Sequence, residues 1–142
     1  SINNSNEIIE KILSSKLDIG LIEVDTQHSS LIKEKLCDDE LIVVTSDENS
    51  PKITFIDSIN KKWILRETGS GTREIFINHI GQIAQELNIF MELQDFEEIK
   101  TIVLNNKDTV TAISKVIVQK ELEEKKLFQI KLKNYTVIRI EV

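Results

Sequence analysis

Two short runs, Leu17–Glu23 (LDIGLIE) and Glu40–Thr45 (ELIVVT), are nearly continuous in apolar residues. A half-exposed strand alternates apolar and polar positions, whereas one apolar at almost every position is buried on both faces. Such strands need helices over both faces of their sheet, and the chain supplies them. Asn4-Ser5 with Glu7 reads as a helix cap, followed by Ile8, Ile9, Ile12 and Leu13 at helical spacing. A helix from about Thr72 to Leu87 places Phe76, Ile80, Ile83, Ala84 and Leu87 on one face. Asp95 and Glu98 suggest a capping box for a helix carrying Phe96, Ile99, Ile102 and Val103, and Lys115–Leu122 forms a short one. Further strands are expected at Trp63–Leu65, Phe90–Leu93, Thr109–Ser114, Leu127–Leu132 and Tyr135–Val142, with Val24–Lys35 irregular. Strands alternating with helices define an α/β fold with mostly parallel sheets.

Several function classes are disfavoured. Eighteen basic residues against 24 acidic ones give a charge of −6, the wrong sign for neutralising phosphates, so direct DNA binding by this segment is not expected. The single cysteine, Cys37, cannot form an internal disulfide and fits a reducing cytoplasm. No apolar run reaches the length of a membrane span, and SINNSNEIIEK lacks the basic start and apolar core of a signal peptide. Two histidines and one cysteine offer no HExxH or CxxC spacing, so neither a metal nor another cofactor is expected. His28 lies in a polar stretch and His79 inside a helix, and Ser70 is not in a GxSxG elbow, so no catalytic residues are assigned.

The segment Leu65–Arg73 (LRETGSGTR) is the richest chemically. A buried strand ends and a glycine-flanked serine opens an amphipathic helix. Glycines let backbone N–H groups converge, and the first-turn N–H groups of a helix lack internal partners at the positive end of its dipole. The hydroxyls of Ser70 and Thr72 add donors and Arg73 a charged fork, which together suit a carboxylate, sulfate or phosphate. Plain helix capping explains the same residues equally well. The segment lacks the lysine of a GxxxxGK(S/T) nucleotide loop and does not complete GxGxxG.

WILRETGSGTRE closely resembles the W-I-x-R-E-x-G-S-G-T-R-E segment of LysR-type effector domains. Three further blocks are similar to that family in the same order. They are NNSNEIIEKILSSKLDIGLIEVD, LCDDELIVVTS, and EEIKTIVLNNKDTVTAISKVIVQKEL. The resemblance implies a two-lobe domain like type 2 periplasmic binding proteins, its lobes joined by two crossover segments. Residues 1–45 and 128–142 would form the first lobe, and 46–127 the second. The family's helix-turn-helix, linker helix, and first effector-domain strand and helix have no counterpart here, so the first lobe is expected to be incomplete. Asn105–Asp108 stands where the family has a Gly-rich turn, and Thr68 where proline is common.

Carried over residue by residue, Ser5 matches the cleft-facing Thr/Ser of the first lobe, and Ser70, Gly71, Thr72 and Arg73 match the second-lobe loop. Glu23 follows the LDIGLI strand and could line the cleft or be a solvated loop carboxylate. Ser114 ends a strand facing the cleft, with capping of the Lys115 helix as its alternative. The resemblance implies a cytoplasmic sensor of a small anionic metabolite. It would assemble as a dimer, or a tetramer in the full-length protein, and contact DNA only through an N-terminal domain. The alternative in another class is a free-standing solute-binding protein of the same fold.

Overall fold

The computed structural model describes residues 3–22, 28, 30–32, 34, 38–49, 54–132 and 138–141. Twelve elements are present among them. They run α1 (Ser5–Leu13), β1 (Asp38–Thr45), α2 (Phe55–Ser58), β2 (Lys62–Arg66), α3 (Gly71–Ile80), a 3-10 helix (Gly81–Glu86), β3 (Ile89–Leu93), α4 (Phe96–Asn105), β4 (Thr109–Ser114), α5 (Lys115–Glu123), β5 (Phe128–Ile130) and β6 (Ile138–Glu141). The strands form one open sheet in the order β3-β2-β4-β1-β5, with β6 also paired to β1.

The α/β class expected from the sequence is therefore observed, but the sheet is mixed. β2 runs parallel to β3 and β4, while β1 is antiparallel to β4, β5 and β6. The expectation of mostly parallel sheets holds only for the β3-β2-β4 part. Those three strands are linked through α3 and α4, and helical crossovers return the chain in the same direction. β1 instead meets a return leg: Val43–Thr45 pair with β5, and Asp38–Leu41 pair with β6.

Alternation along β1 divides the core in two. Leu41 and Val43 join Trp63, Leu65, Phe76 and Val110 on the face covered by α2 and α3. Ile42 and Val44 join Ile64, Ile99, Val103, Ile113 and Val118 on the face covered by α4 and α5. Trp63 anchors the first face. Its ring stacks on Phe76 at 5.5 Å and meets Phe55 edge-on at 5.9 Å, while its indole N–H donates to the Ser58 carbonyl at 3.0 Å.

Three boundaries differ from the sequence reading. The helix expected over Thr72–Leu87 breaks at Gly81, whose φ of +70° ends α3 and starts the 3-10 helix. Asp95 caps α4 through the Glu97 N–H, without a capping box to Glu98. Leu17–Ile22 forms no strand. That run meets α1 at Gly20, which sits so close to Ile8 that an added methyl would overlap the Ile8 side chain. No helix among the described residues is long and apolar enough to cross a membrane.

Across the second face, Lys100 of α4 bridges Glu121 of α5 at 3.1 Å and Glu97 at 3.2 Å, the Lys100 and Glu121 side chains being 16% and 14% exposed. Burial by itself would raise the Glu121 carboxyl, but Lys100 outweighs it and the carboxyl titrates below its usual value. Lys100→Met strands that carboxylate, and about 1–3 kcal/mol of stability should be lost at neutral pH. A depressed acid stabilises above its unfolded pKa and loses that contribution as pH falls through its folded pKa. The gap between parent and variant in urea melts should therefore narrow in acid, and a gap that is constant down to about pH 3 would contradict the assignment.

Candidate functional site between two helix ends

β2, β3 and β4 are parallel, so their carboxyl ends share one end of the sheet. Continuing the Lys62–Thr109 and Trp63–Val110 register brings Arg66 at the end of β2 level with Ile113, one residue before Ser114. Antiparallel β1 delivers its amino end to the same place, since Leu41 pairs with Ser114. In open α/β sheets this end is where helix N-termini and turns gather and where ligands bind.

The turn from β2 into α3 is built there. Gly69 has φ +97°, and the Ser70 N–H closes the turn on the Glu67 carbonyl at 3.1 Å. Ser70 caps α3, its hydroxyl accepting from the Arg73 N–H at 3.4 Å. Ser70, Gly71 and Thr72 are buried.

The N-terminus of α1 arrives at the same turn. Asn4 caps α1 through Oδ1, which accepts from the Glu7 N–H at 2.9 Å. Its Nδ2 donates to Glu67 Oε1 at 3.2 Å. A Cβ added to Gly69 would lie 3.0 Å from that Nδ2, so the two helix ends are in van der Waals contact through Asn4. Ser5, the first residue of α1, is buried beside it. The two junctions singled out in the sequence, Asn4-Ser5 and Gly69–Arg73, are thus neighbours.

Charged side chains around the turn pair with one another. Glu67 takes a two-pronged contact from Arg66, Nε to Oε2 at 2.9 Å and Nη2 to Oε1 at 3.1 Å. The Arg66 guanidinium also lies over the Phe96 ring, 4.6 Å from its centroid. Arg73 Nη1 donates to the Arg66 carbonyl at 2.8 Å and to Glu92 Oε1 at 2.7 Å. With these side chains paired, the two helix ends remain as sources of positive partial charge beside the turn.

The remaining expected residues fall as follows. Ser114 is buried at the same sheet end and donates to Asp39 Oδ2 of β1. It stands at the N-cap position of α5 without a capping hydrogen bond from its side chain, so its hydroxyl serves the strand contact. Glu23 lies outside the described residues, as does Cys37. His28 and His79 are exposed, and His28 accepts locally from the Ser30 N–H. Among the described residues, no three His, Cys, Asp or Glu side chains come together as a metal site.

Asn4 as a bridge, Glu67 and Asp39 were not in the sequence-derived set. Glu67 was discoverable, since a carboxylate between a cation and a glycine turn invites pairing. Asp39 depends on the β1–β4 register and has no local signal.

An open α/β sheet with helix N-termini gathered at the carboxyl end of its parallel strands is the arrangement of ligand-binding α/β domains. The chain belongs to the LysR substrate binding domain family, whose model matches residues 1–142. A curated relative, the HTH-type transcriptional regulator YeiE of Escherichia coli strain K12, is 31% identical over 126 residues, covering 87% of this chain and 43% of that protein. The chain therefore spans less than half the length of that regulator. Among solved structures, a sulfate-bound mutant regulatory domain of OxyR2 from Vibrio vulnificus superposes with a TM-score of 0.75 at 14% identity, over 98% of this chain and 68% of that one. A phosphate-bound putative phosphate ABC transporter substrate-binding protein from Clostridium perfringens gives 0.70 at 20% identity, over 94% of this chain and 63% of that one.

Two outcomes follow from the Asn4–Glu67 contact. Gly69→Ala must strain a positive φ and push Asn4 away, which should cost about 1–2 kcal/mol and release the Asn4 side-chain amide. An unshifted Asn4 amide signal in a stable variant would refute the packing described. Burial by itself would raise the Glu67 carboxyl, but Arg66 and Asn4, with a backbone hydrogen bond, hold it below its usual value. Its contribution should be fully present above the unfolded glutamate value of about 4.3 and be lost as pH drops through the lower folded one. In an NMR titration the Asn4 amide should follow that lower midpoint, and a midpoint at or above the unfolded value contradicts the pairing.

Proposed function

We propose that this chain is the effector-sensing part of a bacterial LysR-type transcriptional regulator and takes a small anion at the turn where α1 and α3 begin. The observation that carries the reading is the convergence of two capped helix N-termini through Asn4 and Gly69. Their dipoles add at one place, and the Ser5, Ser70 and Thr72 hydroxyls with the Gly71 N–H supply hydrogen-bonding groups around it. Sulfate and phosphate in the two similar folds support an anion of that size here. Ser114 with Asp39 borders the same sheet end.

In this reading the division expected at 1–45 with 128–142 and at 46–127 is redrawn, because β1 and β5 share the sheet of β2 and β4: the part that moves is α1 with Leu17–Ile22, and the effector favours one arrangement of it against that sheet. Self-association uses the sheet edge, where β3 exposes Ile89, Phe90 and Met91 beside α4. DNA is contacted by another part of the full-length cytoplasmic protein. The phosphate-bound neighbour keeps a free-standing solute-binding protein as the second reading. The segment encoded before Ser1 separates the two: a helix-turn-helix supports the regulator and an export leader the binding protein.

Sulfate is the probe. Millimolar sulfate should raise the melting temperature of the parent chain. Thr72→Ala should weaken sulfate binding about tenfold, the loss of roughly one hydrogen bond to a charged group. Equal affinity in parent and variant by calorimetry, or no response of the parent to sulfate or phosphate, sinks the site.

A further inference from the structure

We propose that Arg73 is a positioning residue rather than an effector ligand, and that with Glu92 it forms a strut fixing the β2–α3 turn to the sheet edge. The proposal rests on the anion-site reading, because the turn it fixes is that site.

Arg73 is a misfit at its position in α3. The first turn of a helix favours acidic residues, since its N–H groups carry the positive end of the dipole. Arg73 is the third residue of α3 and places a cation there. One nitrogen of its guanidinium, Nη1, spans a structural gap. Nη1 donates at 2.8 Å to the carbonyl of Arg66, the last residue of β2, and at 2.7 Å to Glu92 on β3.

The first contact satisfies a carbonyl at the point where the β2 strand stops and the turn begins. It also fastens that strand end to the first turn of α3, across the residues that form the anion cradle. The second contact supplies the charge that holds the guanidinium in this direction. Arg73 is largely covered, with 16% of its side chain exposed, whereas Glu92 is 45% exposed. Glu92 pairs with Leu65 of β2 in the ladder, so its backbone is fixed and its side chain works as a guy-rope for Arg73. The loop that would bind an effector is thereby joined to the edge strand that exposes Ile89, Phe90 and Met91. Whatever packs on β3 and whatever binds the turn bias the same contact, and that linkage is reciprocal.

The two roles for Arg73 give opposite signs when Glu92 loses its charge. Were Arg73 a ligand, Glu92 would compete with the anion for it and repel that anion, so Glu92→Gln would tighten binding. As a strut, the weaker pair lets the turn relax, the N–H groups from Gly71 onward lose their alignment, and binding weakens.

The test compares parent, Glu92→Gln and Arg73→Lys by amide hydrogen exchange over residues 67–72 and by calorimetric titration with sulfate. Glu92→Gln should exchange about three- to tenfold faster there and bind sulfate weaker by a similar factor, the scale of one partly exposed ion pair. Arg73→Lys keeps the charge but replaces the rigid guanidinium whose Nη1 meets both partners with a flexible ammonium, and should move both readouts the same way. Tighter sulfate binding by Glu92→Gln, or unchanged exchange in it, overturns the proposal. If the parent binds no sulfate, the anion-site reading fails on its own, and the exchange measurement still decides the strut.

Discussion

The structure depends on β1 being apolar on both faces. Residues Leu41 to Val44 are all buried, and successive side chains enter opposite cores. Strand geometry forces that alternation, so neither face can be left to water without exposing two large aliphatic side chains. The amphipathic helices answer this constraint, α2 and α3 on one side and α4 and α5 on the other. β2 repeats the logic, with Trp63 and Leu65 facing the first core and Ile64 the second. A strand buried on both faces also needs both hydrogen-bonding edges filled. β1 has β4 along one edge, with β5 and β6 end to end on the other.

Chain direction then places the chemistry. Parallel β2 and β4 and antiparallel β1 bring Arg66, Ser114 and Asp39 to one end of the sheet, although they are far apart in sequence. A helix leaves β2 at that end with a four-residue turn, short enough that its capping serine remains beside the strand end. α1 reaches the same turn through Asn4, whose amide caps α1 with its oxygen and donates to Glu67 with its nitrogen. Such two-sided use, with separate oxygen and nitrogen atoms, is available to asparagine and not to an ionised aspartate, which would cap as well but has no donor.

Features governed by local chemistry were legible in the sequence. The Asn4 and Ser70 caps, the buried strands at 40–45 and 109–114, and the helices after Asp95 and Ser114 all reflect periodicity or capping within a few residues. The break at Gly81 was not read because the apolar stripe continues through Ile83, Ala84 and Leu87, masking a backbone decision taken by one glycine. The direction of β1 was hidden as well, because an apolar run is the same for either neighbour orientation. The side-chain partners at the site were least accessible. Arg73 beside a glycine-serine turn reads locally as an anion fork, and nothing in that stretch announces that Glu92 lies 2.7 Å from it across the β2–β3 ladder.

Leu17–Ile22 makes the same distinction from the other side. Its apolar residues, interrupted only by Asp18 and Gly20, suggest a buried strand, yet it is not one, and Ile19 and Leu21 are exposed. A strand is completed by a neighbour's backbone, and a close approach to α1 at Gly20 offers no ladder. α1 and this run therefore make a small layer joined to the sheet's carboxyl end through Asn4, on contacts to Glu67 and Gly69. Polar contacts of that kind are weak beside the two apolar cores and are sensitive to charge at the turn. An anion placed between the helix ends would act on the part of the molecule where the least packing energy opposes movement, which is where a small ligand can shift an equilibrium of shapes.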